Sequence, residues 1–108
     1  MIPKPQDAYI EAAWYYSALG EIFFLQGMYS TSREYYEKTH LILKSAGEID
    51  PFTLLRLGET AFETGDEATA FRYLLAAYKA EGEEIFDGQN AKFFNYIRMD
   101  IKQKGQGL

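Results

Sequence analysis

The sequence predicts an all-α chain of five helices: two helical hairpins followed by a single terminal helix. Three observations lead there. Leu19-Gly20 is followed seven residues later by Gly27, and Leu57-Gly58 seven residues later by Gly65, so both pairs are offset by 38. Self-similarity at such a period marks stacked helical repeats. Apolar residues recur at helical spacing within both copies and again near the end of the chain. Helix punctuation then falls between these stretches: Asp50-Pro51, Gly65-Asp66 and Asn90.

Taken in order, Pro3 and Pro5 oppose a regular start, which predicts order from near Asp7, a suitable N-cap. From Ala8 to Gln26, Tyr9, Ala13, Tyr16 and Phe23 form one line and Ile10, Trp14 and Ala18 another. A helix apolar on two faces is expected to lie buried between neighbours. Ile22-Phe23-Phe24-Leu25 would pass for a strand in isolation, but the repeat of the glycines places it on a helix. A Gly within a first helix lets a second helix approach closely, and a Gly after it permits the turn. Small or fitted side chains are then required opposite: Ala70, Leu74 and Ala77 in the second copy, Ser32, Tyr36 and Thr39 in the first. The second helix of the first copy has two candidate starts, a capping box at Thr31-Ser32-Arg33-Glu34 or a turn earlier at Tyr29. After Gly82 the repeat stops, since a third copy would put Asn95-Tyr96 where Leu-Gly belongs. Asn90 is the expected N-cap of a last helix whose Phe93, Phe94, Ile97 and Ile101 make one apolar stripe. Such a helix would cover the last hairpin. Gly105 to Leu108 reads as a frayed end.

On these residues the chain resembles the tetratricopeptide repeat family over roughly residues 13–82. In the second copy Leu57, Gly58, Gly65, Asp66, Ala70, Leu74 and Ala77 fall where the family expects them. The first copy keeps Leu19, Gly20, Phe23, Gly27, Tyr29 and Tyr36, with Ser32 and Thr39 where Ala is usual. Ala61 stands where a larger residue is usual. The family period is about 34, so a four-residue excess sits near Ser45 to Ile49, in the second helix or the loop after it. The resemblance implies a tetratricopeptide-like right-handed superhelix within one domain. Its parts would be repeat one at about 8–45, repeat two at about 50–82 and a capping helix at about 90–103. Two repeats are fewer than the three usually needed, so the terminal helix completes the core, the chain dimerises, or it belongs to a larger assembly.

Composition removes several functions. The chain of 108 residues carries a formal net charge of -5, which repels a phosphate backbone and disfavours nucleic acid. Residues 1–90 hold seven basic against fifteen acidic side chains, whereas residues 91–108 hold four against one. A basic terminal helix lying against an acidic body is the reading. The absence of cysteine excludes disulfides, thiolate metal sites and cysteine nucleophiles. The start has no apolar stretch of signal-peptide length, and the longest uncharged runs, Ala12 to Gly20 and Ile22 to Ser32, are too short for a membrane span. The default expectation is cytoplasmic, with no membrane partner.

Catalysis is not expected, nor is any cofactor or metal. His40 is the sole histidine, so Glu37-Lys38-Thr39-His40 supplies one Glu-x-x-His where di-iron bundles need two. The glycines punctuate helices instead of forming a phosphate loop, and Glu81, Glu83 and Glu84 lack calcium-loop spacing.

The expectation is therefore a noncatalytic adaptor or scaffold that binds a polypeptide. By resemblance, the first helices line a concave face, on which Trp14, Ser17, Glu21 and Phe24 would stand in copy one. Phe52, Leu55, Arg56, Glu59, Phe62 and Glu63 would follow in copy two. The family's clamp for peptide carboxylates uses Lys, Arg and Asn there, whereas this chain has Glu21 and Glu59 with Arg56 the single cation. A groove of aromatic anchors ringed by carboxylates suits a segment with basic and apolar residues. Two alternatives remain open: an inhibitor of a basic toxin, since Glu81 to Gly88 resembles segments in repeat proteins of toxin-associated loci, and a homodimer.

Overall fold

The computed structural model describes residues 5–103, with the side chains of 10–88 and 90–98. Ile101, Lys102 and the 104–108 end therefore lie outside the described side chains. Among the described residues there are five α-helices: α1 Pro5–Leu25, α2 Tyr29–Ser45, α3 Pro51–Glu63, α4 Glu67–Glu81 and α5 Ala91–Gln103. Two 3-10 turns, Glu83–Phe86 and Gly88–Asn90, lead into α5. No strand occurs among the described residues. α1 packs on α2, α2 on α3 and α3 on α4, while α5 closes over α4 and the first 3-10 turn.

The two hairpins are closed by the same device at the same repeat positions. A Cβ on Gly20 would stand 2.9 Å from the Tyr36 ring, and one on Gly58 would stand 2.6 Å from Leu74. The glycines are therefore required by helix–helix distance. Gly27 and Gly65, at φ +76° and +86°, then end the first helices with the same loop hydrogen bond, Met28 N to Phe23 O and Asp66 N to Ala61 O, each 2.9 Å. The facing residues Ser32, Tyr36, Thr39, Ala70, Leu74 and Ala77 are all buried, as the repeat requires. Where Ala is usual, Ser32 Oγ donates to Gly20 O at 2.7 Å and Thr39 Oγ1 to Ala13 O at 3.0 Å. The hydroxyls thus satisfy carbonyls of α1 instead of remaining unpaired.

Several boundaries differ from expectation for physical reasons. α1 begins at Pro5, not near Asp7, because a proline fits the first helical turn, where its missing N–H has no partner to lose. α2 takes the earlier start at Tyr29, so no capping box forms; Ser32 is held by Gly20 and its N-terminus follows the Gly27 turn directly. The four-residue excess is shared between a longer α2 and a longer loop, since α2 has 17 residues against 15 in α4. Asp50 and Asp66 cap α3 and α4 as expected, accepting from Thr53 N at 3.1 Å and Thr69 N at 3.2 Å.

The core gathers in the second hairpin. Leu54, Leu55, Leu74 and Ala77 pack with Phe86 of the first 3-10 turn and with Phe93, Phe94 and Ile97 of α5. The terminal helix does complete this core, and Phe86 is a member that helical periodicity did not reveal. α1 departs most from expectation. Its Ala13 is buried, but Trp14, Tyr15, Ile22 and Leu25 are exposed, Leu25 at 74%. α1 packs mainly on α2, and its second apolar face stays open. No helix among the described residues is long and apolar enough to cross a membrane.

Candidate functional site

Arg56 of α3 stands at the centre of the face where the first helices meet. Its guanidinium lies between two rings, 4.0 Å from the Phe24 centroid and 4.6 Å from that of Phe52. Around its edge, Nε donates to Glu21 Oε1 at 2.8 Å and Nη2 to Glu21 Oε2 at 3.0 Å, a bidentate pair linking α1 to α3. Nη1 donates to Glu59 Oε1 at 2.6 Å and more weakly to Asn90 Oδ1 at 3.4 Å. Tyr36 completes the network from α2, its hydroxyl donating to Glu21 Oε1 at 2.6 Å.

The two carboxylates occupy equivalent repeat positions and have opposite electrostatics. Glu21 is half-buried, and the Arg56 hydrogen bonds, aided by Tyr36, hold its pKa below the ordinary carboxylate value against the effect of burial. Glu59 is 0% exposed. Burial pushes its pKa up to about 7, a rise that Arg56 only partly offsets. Its Oε2 is buried without a hydrogen-bond partner. For Tyr36, burial followed by the bond to Glu21 raises the hydroxyl pKa, keeping it a donor.

Glu59 lines a cavity of about 170 Å³ together with Phe24, Tyr29, Glu63, Asn90, Lys92 and Phe93. Lys92 of α5 stands at its rim, 3.4 Å from Glu63 Oε1 and 4.8 Å from the Phe93 ring centroid. This contact is the described part of the basic helix resting on the acidic body.

The expected face is thus partly assembled and partly absorbed into the fold. Glu21, Phe24, Phe52, Arg56 and Glu59 come together, and Glu63 lies beside them across the cavity. Trp14 and Phe52, offset by one repeat, remain 47% and 38% exposed. Ser17 is half-buried. Leu55 is fully buried in the core and offers no surface. Phe62 turns toward α5, edge-on to Phe93 and Tyr96 at 5.6 and 5.2 Å. The ring of free carboxylates expected from sequence is therefore reduced: Glu21 is neutralised by Arg56, and Glu59 retains one unpaired oxygen. Tyr29, Tyr36, Asn90, Lys92 and Phe93 were not foreseen at the site. They come from α2, from the second 3-10 turn and from α5, which the first-helix pattern does not register.

His40 lies apart, in a cavity of about 520 Å³ lined by Lys44, Ile49, Leu54, Arg72, Tyr73 and Ala76. Burial and then Lys44 lower its pKa. The charged side chains of that lining are cations, so no carboxylate converges on the imidazole. No protein-family model matches the chain, and no curated protein or solved structure is detectably similar to it.

Proposed function

We propose that the chain is a noncatalytic interaction module of the tetratricopeptide kind, its two hairpins forming a short right-handed superhelix capped by α5. It binds an extended polypeptide segment bearing apolar and basic residues. The observation that carries this reading is the pair Trp14 and Phe52: large rings one repeat apart on the first helices, both left partly open. Exposed aromatics on a rigid scaffold are the usual anchors of a binding surface. The Glu21–Arg56–Glu59 network supports it by fixing the relative position of α1 and α3, so the anchors are preorganised. An array of peptides combining Leu or Phe with Lys, tested against the full chain and its Trp14→Ala and Phe52→Ala variants, examines the proposal. Binding that weakens at least about tenfold in each variant, the loss of a modest hot spot, supports it; binding indifferent to both rings removes it.

One observation favours a second reading, self-assembly through α1. Tyr15, Ile22 and Leu25 are exposed on a helix whose other side packs on α2. A concentration-dependent mass in light scattering, abolished by Leu25→Glu and Ile22→Glu together, would establish that use of the face.

A further inference from the structure

We propose that the cavity beside Arg56 receives one alkylammonium group, the side chain of a lysine in the bound segment, with Glu59 Oε2 as its acceptor. This inference rests on the peptide-binding reading and specifies where the basic residue goes. Its basis is a polar atom with unmet bonding capacity: one oxygen of Glu59 is taken by Arg56 Nη1, and the other has no partner. Glu59 borders the cavity but is wholly buried, so the incoming group reaches that oxygen as the carboxyl turns toward the cavity. A buried unpaired carboxylate oxygen opposes folding unless something pairs with it, so such a group is uncommon and points to a ligand.

The walls fit the class. Phe24, Tyr29 and Phe93 offer rings, and Glu63 and Asn90 offer further acceptors. A cation near aromatic faces is attracted by their quadrupoles, more strongly when desolvated. The volume of about 170 Å³ corresponds to roughly five or six waters at about 30 Å³ each, room for an ammonium and part of its aliphatic stem. Ammonium is preferred to guanidinium because one free oxygen is available. A guanidinium gains most from two parallel acceptors, whereas the three N–H donors of an ammonium can diverge toward Glu59, Glu63 and Asn90. Arg56 already takes the bidentate partner, Glu21. Lys92, mostly exposed and paired with Glu63, is a resident cation at the rim that the incoming group must displace.

Protonation couples to occupancy. The charged groups facing Glu59 are Arg56 and Glu63 from α3, Glu21 from α1 and Lys92 from α5, with Tyr29 of α2 in the wall. Because the free carboxyl titrates near pH 7, an ammonium must displace a proton below that pH, and affinity rises with pH through the interval.

The test follows the Glu59 side-chain carboxyl carbon by NMR in the full chain while n-butylammonium is added, with n-butanol, N-propylguanidinium and a Lys-containing peptide as the other arms. Expected are saturable shifts of Glu59 and of the Phe24, Tyr29 and Phe93 rings with the amine, none with the alcohol, and weaker ones with the guanidinium. Binding should fall about tenfold between pH 8 and pH 6 and at least about tenfold in Glu59→Gln. It should tighten in Lys92→Met, which leaves the buried network intact. Shifts equal for amine and alcohol, shifts indifferent to Glu59→Gln, or no tightening in Lys92→Met would overturn the proposal. Peptides held equally by wild type and Glu59→Gln but lost in Trp14→Ala would overturn it while the groove reading stands. Amine binding with no peptide bound would keep the cavity assignment and remove the groove.

Discussion

Replacing Glu59 by Gln should make the free protein's stability less dependent on pH, and the sign of the change is determined by burial. Glu59 is 0% exposed with a folded pKa of about 7, against an ordinary value of 4.5. Below pH 4.5 the carboxyl is protonated in both folded and unfolded chains, and its neutral form costs little. Between 4.5 and 7 the unfolded chain releases the proton while the folded chain retains it. Stability present below the unfolded pKa is therefore lost as pH rises through the folded one, and the loss is complete above 7. A difference of about 2.5 pKa units at 1.36 kcal/mol each gives about 3 kcal/mol as the full swing. Gln keeps an oxygen for the Arg56 Nη1 donor and removes the titration. Urea unfolding of wild type and Glu59→Gln at pH 4.5, 6, 7 and 8.5 isolates the effect, because groups common to both cancel in the difference. Glu21, Asp66 and His40 are groups to cancel, since their lowered pKa values work in the opposite sense: each contribution is present above the unfolded value and is lost as pH falls. The variant should gain on wild type by about 3 kcal/mol from the lowest to the highest pH. A constant difference, or a wild type that gains on the variant as pH rises, would mean that Arg56 keeps Glu59 ionised and would refute the argument from desolvation.

Other outcomes follow from the same contacts. Gly58→Ala places a methyl 2.6 Å from Leu74 Cγ and 3.0 Å from its backbone N, so thermal unfolding should show a loss of about 1–3 kcal/mol. Gly65→Ala meets no atom but keeps φ +86°, and should lose about 1 kcal/mol, measured in the same way. Arg56→Met leaves Glu21 and the buried Glu59 without their cation; denaturant unfolding at pH 8 should show a loss of about 3–5 kcal/mol, smaller at pH 5, where Glu59 holds its proton. Arg33→Ala removes a partly exposed pair with Asp66, 2.9 Å apart, and by the same measurement should leave stability nearly unchanged.

The helices were legible because their determinants are local or periodic. Asp50-Pro51 and Gly65-Asp66 are end signals that work within four residues, and the glycines at 20 and 58 recur with Tyr36 and Leu74 at a common spacing. The periodicity also identified Ser32 and Thr39 as buried. It could not say that their hydroxyls bind Gly20 O and Ala13 O, because those partners depend on the hairpin being formed. The exposure of α1 was likewise illegible: an apolar face is the same string of residues whether or not a neighbour covers it. At the site, sequence placed Glu21, Arg56 and Glu59 on one face, but their pairing is a matter of distances across α1 and α3. The residues that enclose the cavity, Tyr29, Asn90, Lys92 and Phe93, arrive from elements outside the first-helix pattern.

The site's chemistry comes from one break in the repeat. Displaced by 38, Glu21 becomes Glu59, Phe24 becomes Phe62 and Trp14 becomes Phe52, each pair similar in kind; Ala18, however, becomes Arg56. An alanine there would leave two carboxylates on a bare aromatic face. The arginine instead takes both oxygens of Glu21 and one of Glu59, with the Phe24 and Phe52 rings against its guanidinium. Four of its N–H groups go to Glu21, Glu59 and Asn90, and none of these bonds reaches the remaining Glu59 oxygen. Glu59 is buried by the second hairpin and α5, and no described side chain donates to that oxygen. The same substitution therefore joins α1 to α3 and creates the single point of unmet hydrogen-bonding demand on this face. Restoring the alanine should separate the two effects: Arg56→Ala at pH 8 should loosen α1 from α3, read as faster amide exchange along α1, and should leave Glu59 with a still higher pKa. If Glu59 titrated lower without the arginine, the guanidinium would not be the partial compensation assigned to it.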